Sequence, residues 1–393
     1  MVSGQKVDKD LMRKSNLRLV LSSIYTAREI SRAQVAEQTK MSIVTVGRMT
    51  DELMSLGLVR ESEKDSGEQN AVGRPPRVLS LAADDLLCCG VFLEKESLQI
   101  GLVDPYGRLC ASEQFSLEEK EFAPAPVLDR MASLLTDFLA RHRQHRVLPV
   151  IGVVVPGIVD IDRGELEFSS NFQWRHIRLV SELSARLPQY AFVIENDIKA
   201  LALAENRFGA CANSRNMVVL NLGNGIGAAV ILNGSIYRGK NNMAGEIGHI
   251  IINPAGRMCE CGQIGCLQTN IAQWAILQEA RSVVPGITLP ALFDDYDRGA
   301  PYAVRIVERL LEYISIAINL LANTYSPETI LLCGSMLHLV PRLRELVRQS
   351  YSRQINEFIR NSFTLSFESF ATGGHLIGGG TTAYTRYLDT LLG

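Results

Sequence analysis

The chain has 393 residues, 47% hydrophobic and 21% charged, a mix that excludes a disordered, collagenous or disulfide-stapled protein and leaves room for two or three domains with their own cores. Its apolar runs, such as 147–155 and 217–232, are broken by Pro or Gly short of the roughly 18 residues a membrane helix needs, and the charged N-terminus lacks the apolar core of a secretory signal, so a cytoplasmic location is expected. The net charge of −2 is unevenly divided: residues 1–82 carry 13 basic against 10 acidic side chains and the remainder 27 against 32, an asymmetry too slight to decide by itself whether the head meets nucleic acid.

Pattern is more informative. Leu17, Val20, Leu21 and Ile24 recur at helical spacing and predict a first helix over roughly residues 10–26. Ser31 stands at an N-cap with Gln34 three residues on, the capping-box distance, and predicts a short second helix. After Thr39-Lys40-Met41, Ser42 caps a third helix whose Val46, Met49, Leu53 and Leu56 face a core and whose Gly57 ends it. Ile43, Val44, Thr45, Gly47 and Arg48 then point outward. In a helix-turn-helix that outer face lies in the major groove, where Arg48 reads a base or clamps a phosphate and Thr45 bonds or touches a thymine methyl. Leu58–Glu61 and Arg77–Leu81 read as a two-stranded wing. Between them Arg74 and Arg77 flank two prolines, a stiff segment suited to a minor groove and equally to a solvated linker. The whole head, residues 1–82, is therefore expected to be a winged helix-turn-helix, with a small protein-binding helical bundle as the alternative.

From about Leu86 short β-like runs (88–93, 98–103, 150–155, 191–194, 217–222, 228–232, 330–333) alternate with helical stretches (128–142, 179–187, 300–323, 340–359), which predicts an α/β body. No tandem repeat is visible. Four stretches carry chemistry. Val155-Pro156-Gly157 is a tight turn able to bring backbone amides close to a ligand, and Asn171 beyond it offers a donor and an acceptor to a hydroxyl pair. Asn196-Asp197 sit at the end of an apolar strand, where polar groups face the cleft of an α/β protein, although either position also suits a helix N-cap. Gly245-Glu246-Ile247-Gly248-His249 precedes Cys259, Cys261 and Cys266. Three thiols within eight residues and a histidine ten upstream supply the four ligands of a closed tetrahedral zinc site, one structural ion per chain. Gly223-Asn224-Gly225-Ile226-Gly227 is a glycine-rich turn suited either to a phosphate or to an ordinary hairpin.

Together these stretches resemble the ROK family of sugar-responsive repressors and sugar kinases, over essentially the whole chain. The resemblance implies a two-lobed, actin-like body behind the head, with residues 83–195 as the smaller lobe, 196–379 as the larger lobe bearing the zinc loop and dimerisation helices, and 380–393 returning to the smaller lobe. It implies a sugar or sugar phosphate held by Gly157, Asn171, Asn196, Asp197, Glu246, His249 and Gln268. In the kinases the aspartate matching Asp197 takes the proton of the sugar hydroxyl. Two departures stand out: Gln268 replaces the usual glutamate two residues after the last cysteine, and the Asp-x-Gly-Gly-Thr phosphate hairpin is here Phe92-Leu93-Glu94-Lys95-Glu96. Bulk and carboxylates where polyphosphate should lie argue for a regulator that binds a sugar without phosphorylating it. The expected partners are double-stranded DNA at a pseudo-palindromic site, a sugar effector, a second copy in a homodimer or tetramer, and in one variant of the reading a transporter protein. The rival is an active ATP-dependent sugar kinase with an accessory head, for which Asp197 would be the base.

Overall fold

The computed structural model describes residues 2–63, 77–117, 122–212, 214–370 and 372–392. The head consists of α1 (Val2–Ala27), α2 (Arg32–Thr39), α3 (Ile43–Ser55) and the antiparallel pair β1 (Val59–Glu63) and β2 (Arg77–Leu81). Its first helix begins earlier than the apolar stripe indicates, because the stripe marks only the part that meets a core: Leu17, Val20, Leu21 and Ile24 are all buried. Ser31 and Gln34 close the capping box. Lys40 takes a left-handed conformation that turns the chain between α2 and α3, and Gly57 does the same after α3. Of the two arginines flanking the wing's prolines, Arg74 lies outside the described residues.

The body contains two five-stranded sheets. The first has the order β10-β6-β3-β4-β5, from β3 (Leu87–Leu93), β4 (Ser97–Val103), β5 (Leu109–Ser116), β6 (Val147–Val155) and β10 (Ala191–Asn196). It is flanked by α4 (Pro124–Arg141) and α5 (Leu179–Arg186), with a small sheet of β7 (Ile158–Asp160), β8 (Glu165–Ser169) and β9 (Trp174–Ile177) beside it. After α6 (Asp197–Phe208) the second sheet has the order β13-β12-β11-β14-β15, from β11 (Met217–Leu222), β12 (Ile226–Leu232), β13 (Ser235–Ile236), β14 (Thr329–Cys333) and β15 (Thr364–Phe367). In each sheet an antiparallel meander of three strands is extended by two parallel strands beside the meander's first member, so the two halves share one topology. The second sheet is covered by α7 (Gln268–Ile271), α8 (Gln273–Arg281), α9 (Leu289–Asp297), α10 (Pro301–Tyr325), α11 (Ser335–Leu339) and α12 (Leu343–Gln354).

One expected helix, residues 340–359, is not continuous. Pro341 disfavours helical backbone at Val340, so helix begins only at Leu343. Ile355 is extended, and Asn356 caps a separate turn, α13 (Glu357–Arg360), by accepting from Phe358 N–H at 2.8 Å. Among the described residues no helix is long and apolar enough to cross a membrane.

The last helix, α14 (Gly374–Leu392), lies directly on the first sheet. A Cβ added at Gly152 of β6 would stand 2.0 Å from the Gly379 carbonyl oxygen, so the two backbones touch. Farther along, Ala383, Tyr384 and Leu392 of α14 share one apolar core with Leu17, Val20 and Ile24 of α1 and with Leu86 and Leu148. Around it Tyr25 stacks on Tyr106 with centroids 5.4 Å apart, the Arg28 guanidinium lies 3.4 Å above the same ring, and Arg18 pairs with Asp389 at 2.8 Å. Gly152→Ala is expected to lower the unfolding midpoint in thermal denaturation, with about 2–3 kcal/mol lost, because neither backbone can give way without shifting a buried element; an unchanged midpoint would contradict the close approach.

Candidate functional site

A cleft of about 900 Å³ opens between the two sheets. Its walls include the Pro156–Ile158 turn, Asn171, the β10–α6 junction Asn196–Lys199, the β11–β12 hairpin Gly223–Ala228, Glu246, His249, Gln268 and the first turn of α14. Every residue that the resemblance assigns to a sugar, Gly157 through Gln268, therefore reaches one cavity.

At the junction Asn196, not Asp197, is the N-cap: its Oδ1 accepts from the Lys199 N–H at 3.1 Å. Its Nδ2 donates to the Gly157 carbonyl and to Asp197 Oδ1, both at 2.9 Å, which ties the Pro-Gly turn to the start of α6. Asp197 is thereby presented inside the cavity, where burial pushes its carboxyl up to about 7 and the Glu246 carboxylate on the same cavity pushes the same way. Glu246 is itself raised by burial, against the pull of His249 and Lys199. Gly245 places it there. Its φ of +105° and the position of a would-be Cβ, 1.9 Å from the Ala228 carbonyl oxygen, admit only glycine, and its own carbonyl accepts from Ala228 N–H at 2.7 Å.

Sequence reading did not find the support behind this wall. Glu195, 1% exposed, receives two bonds from Arg238 at 2.6 and 3.0 Å; Arg238 also donates to Asn242, whose Nδ2 donates to the Val159 carbonyl. Lys199 donates to the Asn242 carbonyl. These residues are far apart in the chain and carry no motif, so only the lobes' juxtaposition reveals them.

In the other half of the cleft, the β3–β4 turn is a tight hairpin closed by Glu94 N–H to the Ser97 carbonyl at 2.8 Å. The Phe92 ring stacks on His375 of α14 with centroids 4.1 Å apart and planes 12° from parallel. Glu94 lines the cavity with its carboxyl raised by burial, and Glu368, pushed up to about 7 by burial, pairs with His338 on the opposite side.

Beside Glu246 and Gln268 stand His249, Cys259, Cys261 and Cys266, whose candidate ligand atoms lie within 4.8 Å of one another. His249 Nδ1 is 3.7 Å from Cys259 Sγ, and Cys261 Sγ is 3.6 Å from Cys266 Sγ. Four ligands at about 2.3 Å from a tetrahedral centre have edges of about 3.7 Å, so the donor set fits a metal ion. Gln268, buried in α7, donates from Nε2 to Cys259 Sγ at 3.1 Å and to Glu260 Oε1 at 3.2 Å. A glutamate there has no proton to give the sulfur and would face Glu260 with like charge. Glu260 is a cleft-lining carboxylate that the motif reading passed over because it falls between two cysteines.

On the head, Ser42 caps α3 by accepting from Thr45 N–H at 3.1 Å. Ile43 and Val44 are 53% and 71% exposed, Arg48 is exposed, and Thr45 and Gly47 are partly covered. Arg77 is half-exposed at the base of the wing and pairs with Glu61 at 3.2 Å; Glu61 also receives Arg32, which reaches Asp51 of α3 at 2.9 Å. This chain of ion pairs fixes the wing's base against the helix-turn-helix.

The sequence profile of the ROK family matches residues 89–379, three quarters of the chain and beginning at the first strand of the body. The chain belongs to the ROK family. Among its ROK relatives, the DNA-binding transcriptional dual regulator NagC of Escherichia coli (strain K12) is 29% identical, over 83% of this chain and 82% of its own length. The xylose repressor of Bacillus subtilis (strain 168) is 26% identical over 98% of both chains. Among solved structures, a ROK family transcriptional regulator homologous to the E. coli MLC protein superposes with a TM-score of 0.82 at 23% identity, over 97% of this chain and 98% of that one. A ROK hexokinase from Thermus thermophilus superposes with a TM-score of 0.67 at 25% identity, over 77% of this chain and 99% of its own. The expected architecture, an α/β actin-like ROK body behind a winged helix-turn-helix, is the one observed.

In protein loaded with zinc, Gln268→Glu is expected to speed metal release to a chromogenic chelator about 10–100-fold, the usual cost of losing a hydrogen bond to a ligand. An unchanged release rate would show that the amide does not support Cys259.

Proposed function

We propose that this protein is a sugar-responsive, DNA-binding transcriptional regulator, a repressor of carbohydrate-use genes, whose kinase-like body binds a sugar without phosphorylating it. The observation that carries the reading is a helix-turn-helix head, with an exposed capped α3, sharing one core with a ROK body. The repressor relatives that span nearly the whole chain support it. Against the kinase alternative stands the phosphate hairpin: Phe92 packs on α14 and Glu94 and Glu368 face the space where a triphosphate would need cations.

In this reading Ser42 to Arg48 enter the major groove and the Arg74–Arg77 segment reaches a neighbouring phosphate or minor groove. Asn171, Asp197, Glu246 and His249 bind hydroxyls, and Asn196 and Gln268 chiefly hold their neighbours in place. His249, Cys259, Cys261 and Cys266 hold one zinc ion. With all four positions taken by protein its contribution is structural, fixing the loop that carries Glu260 and His249. A homodimer or tetramer, with α10 and α12 as candidate contacts, would read a two-fold symmetric operator, and sugar binding would release it through unequal affinity for two lobe arrangements. Titration by a transporter protein would act on the same equilibrium.

Selection of genomic fragments by the full, zinc-loaded chain at about 0.15 M salt should enrich a pseudo-palindrome; recovery no better than random would refute the reading. Arg48→Ala should cost about 1–3 kcal/mol at the enriched site and broaden its sequence preference. Asp197→Ala should bind that site normally while its release by sugar is lost.

A further inference from the structure

We infer that the ligand of this cleft is an unphosphorylated sugar, neutral or bearing an amine, and that the cleft rejects sugar phosphates. The inference rests on the sensor reading above and narrows it. The argument is the charge of the walls. Asp197, Glu246 and Glu260 line the sugar half, and Glu94, Glu113 and Glu368 the other. Among the described lining residues there is no arginine, and the one lysine, Lys199, is buried with its ammonium bonded to the Asn242 carbonyl and set against the Glu195–Arg238 pair.

Sites built for a phosphate ester supply arginine forks, lysine or free backbone amides. Here the histidines do not substitute for them. His249 is turned by Nδ1 toward the thiols, His338 is engaged by Glu368, and His375 is half-buried against the Phe92 ring and kept neutral, its pKa pushed down to about 4 by desolvation. The anion-friendly elements that reach the cavity are the Gly223–Gly227 turn, the N-terminal turn of α6, whose amides already serve the Asp197 carboxylate, and the N-terminal turn of α14. The first side chains of α14 carry Phe92, and the carboxylates of Glu94 and Glu368 line the same half of the cleft. Of the lining carboxylates Glu113 already has a cation, Arg141 at 2.6 Å. A phosphate dianion placed beside Asp197 and Glu246 would meet desolvated carboxylates without a matching cation, whereas hydroxyls find acceptors there and an ammonium finds counter-charge.

The test uses the full, zinc-loaded chain on its selected operator. Glucose, mannose, fructose, glucosamine and N-acetylglucosamine are each compared with their own 6-phosphates, and xylose is added alone, by calorimetry and by operator release. At least one free sugar should bind and release DNA, with its 6-phosphate about 100-fold weaker or silent. In Glu246→Gln the ratio of ester to free-sugar affinity should rise about tenfold, a ratio that general loss of folding would not change. An ester that binds as tightly as its parent sugar, or tighter, would overturn the inference and leave the sensor reading standing. Silence of every sugar and every ester, with operator binding intact, would remove the sensor reading and the inference with it.

Discussion

The backbone contact between α14 and the strands β3 and β6 is the constraint on which the rest of the molecule depends. Three consecutive glycines, Gly378, Gly379 and Gly380, sit in the middle of a helix where each would ordinarily weaken it. Their positions explain them: added Cβ atoms would strike the Ala200 carbonyl of α6, the β6 side of the sheet and Val103 of β4 respectively. The helix thus trades intrinsic propensity for contact with three elements at backbone distance. Because it is seated so closely, its first turn forms part of the cleft wall while its last two turns complete the core of the head. The cleft and the helix-turn-helix are joined by one rigid element and by stacked aromatic rings, with no flexible spacer between β2 and the body.

The cleft is an assembly of carboxylates that each lobe could not hold alone. Asp197 is desolvated and lies near Glu246, and both are kept in place by a neutral framework: the Asn196 amide, the Gly157 carbonyl, and glycines that let the Glu246 turn lie against β12. Near them, among the described residues, the ion pair of Glu195 with Arg238 is complete in itself and bridges strand β10 of one sheet to the segment after β13 of the other. Such an arrangement favours ligands that donate hydrogen bonds over ligands that bring negative charge. The cluster of thiols and imidazole adds a fixed point at the rim, and Gln268 couples that point to Glu260 through one amide.

Much of the head was legible in the sequence because its signals are local. A capping box at Ser31 and Gln34, a cap at Ser42 and a glycine at position 57 each specify backbone conformation within four residues of themselves, and each was found where it was expected. The cysteine spacing was legible for the same reason. By contrast the long helix expected over residues 340–359 failed at Val340 and Ile355, where Pro341 and Asn356 override a continuous apolar pattern. The common topology of the two sheets left no sequence repeat, since strand order depends on which edges pair and not on residue identity.

What the sequence determined by itself is therefore the order of the main elements, the capped helices of the head, the clustering of His249 with Cys259, Cys261 and Cys266, and the bulky, acidic Phe92–Glu96 stretch, all of which are written in short spans of chain. Only the tertiary structure decided that Asn196 caps α6 while Asp197 faces the cavity, that Phe92 lies on His375, that Gln268 serves a thiol and Glu260, and that Glu195 meets Arg238. Those contacts join residues as far as 283 positions apart, Phe92 and His375 being the widest pair. Their energies come from burial and desolvation, which exist only after the lobes have closed on one another.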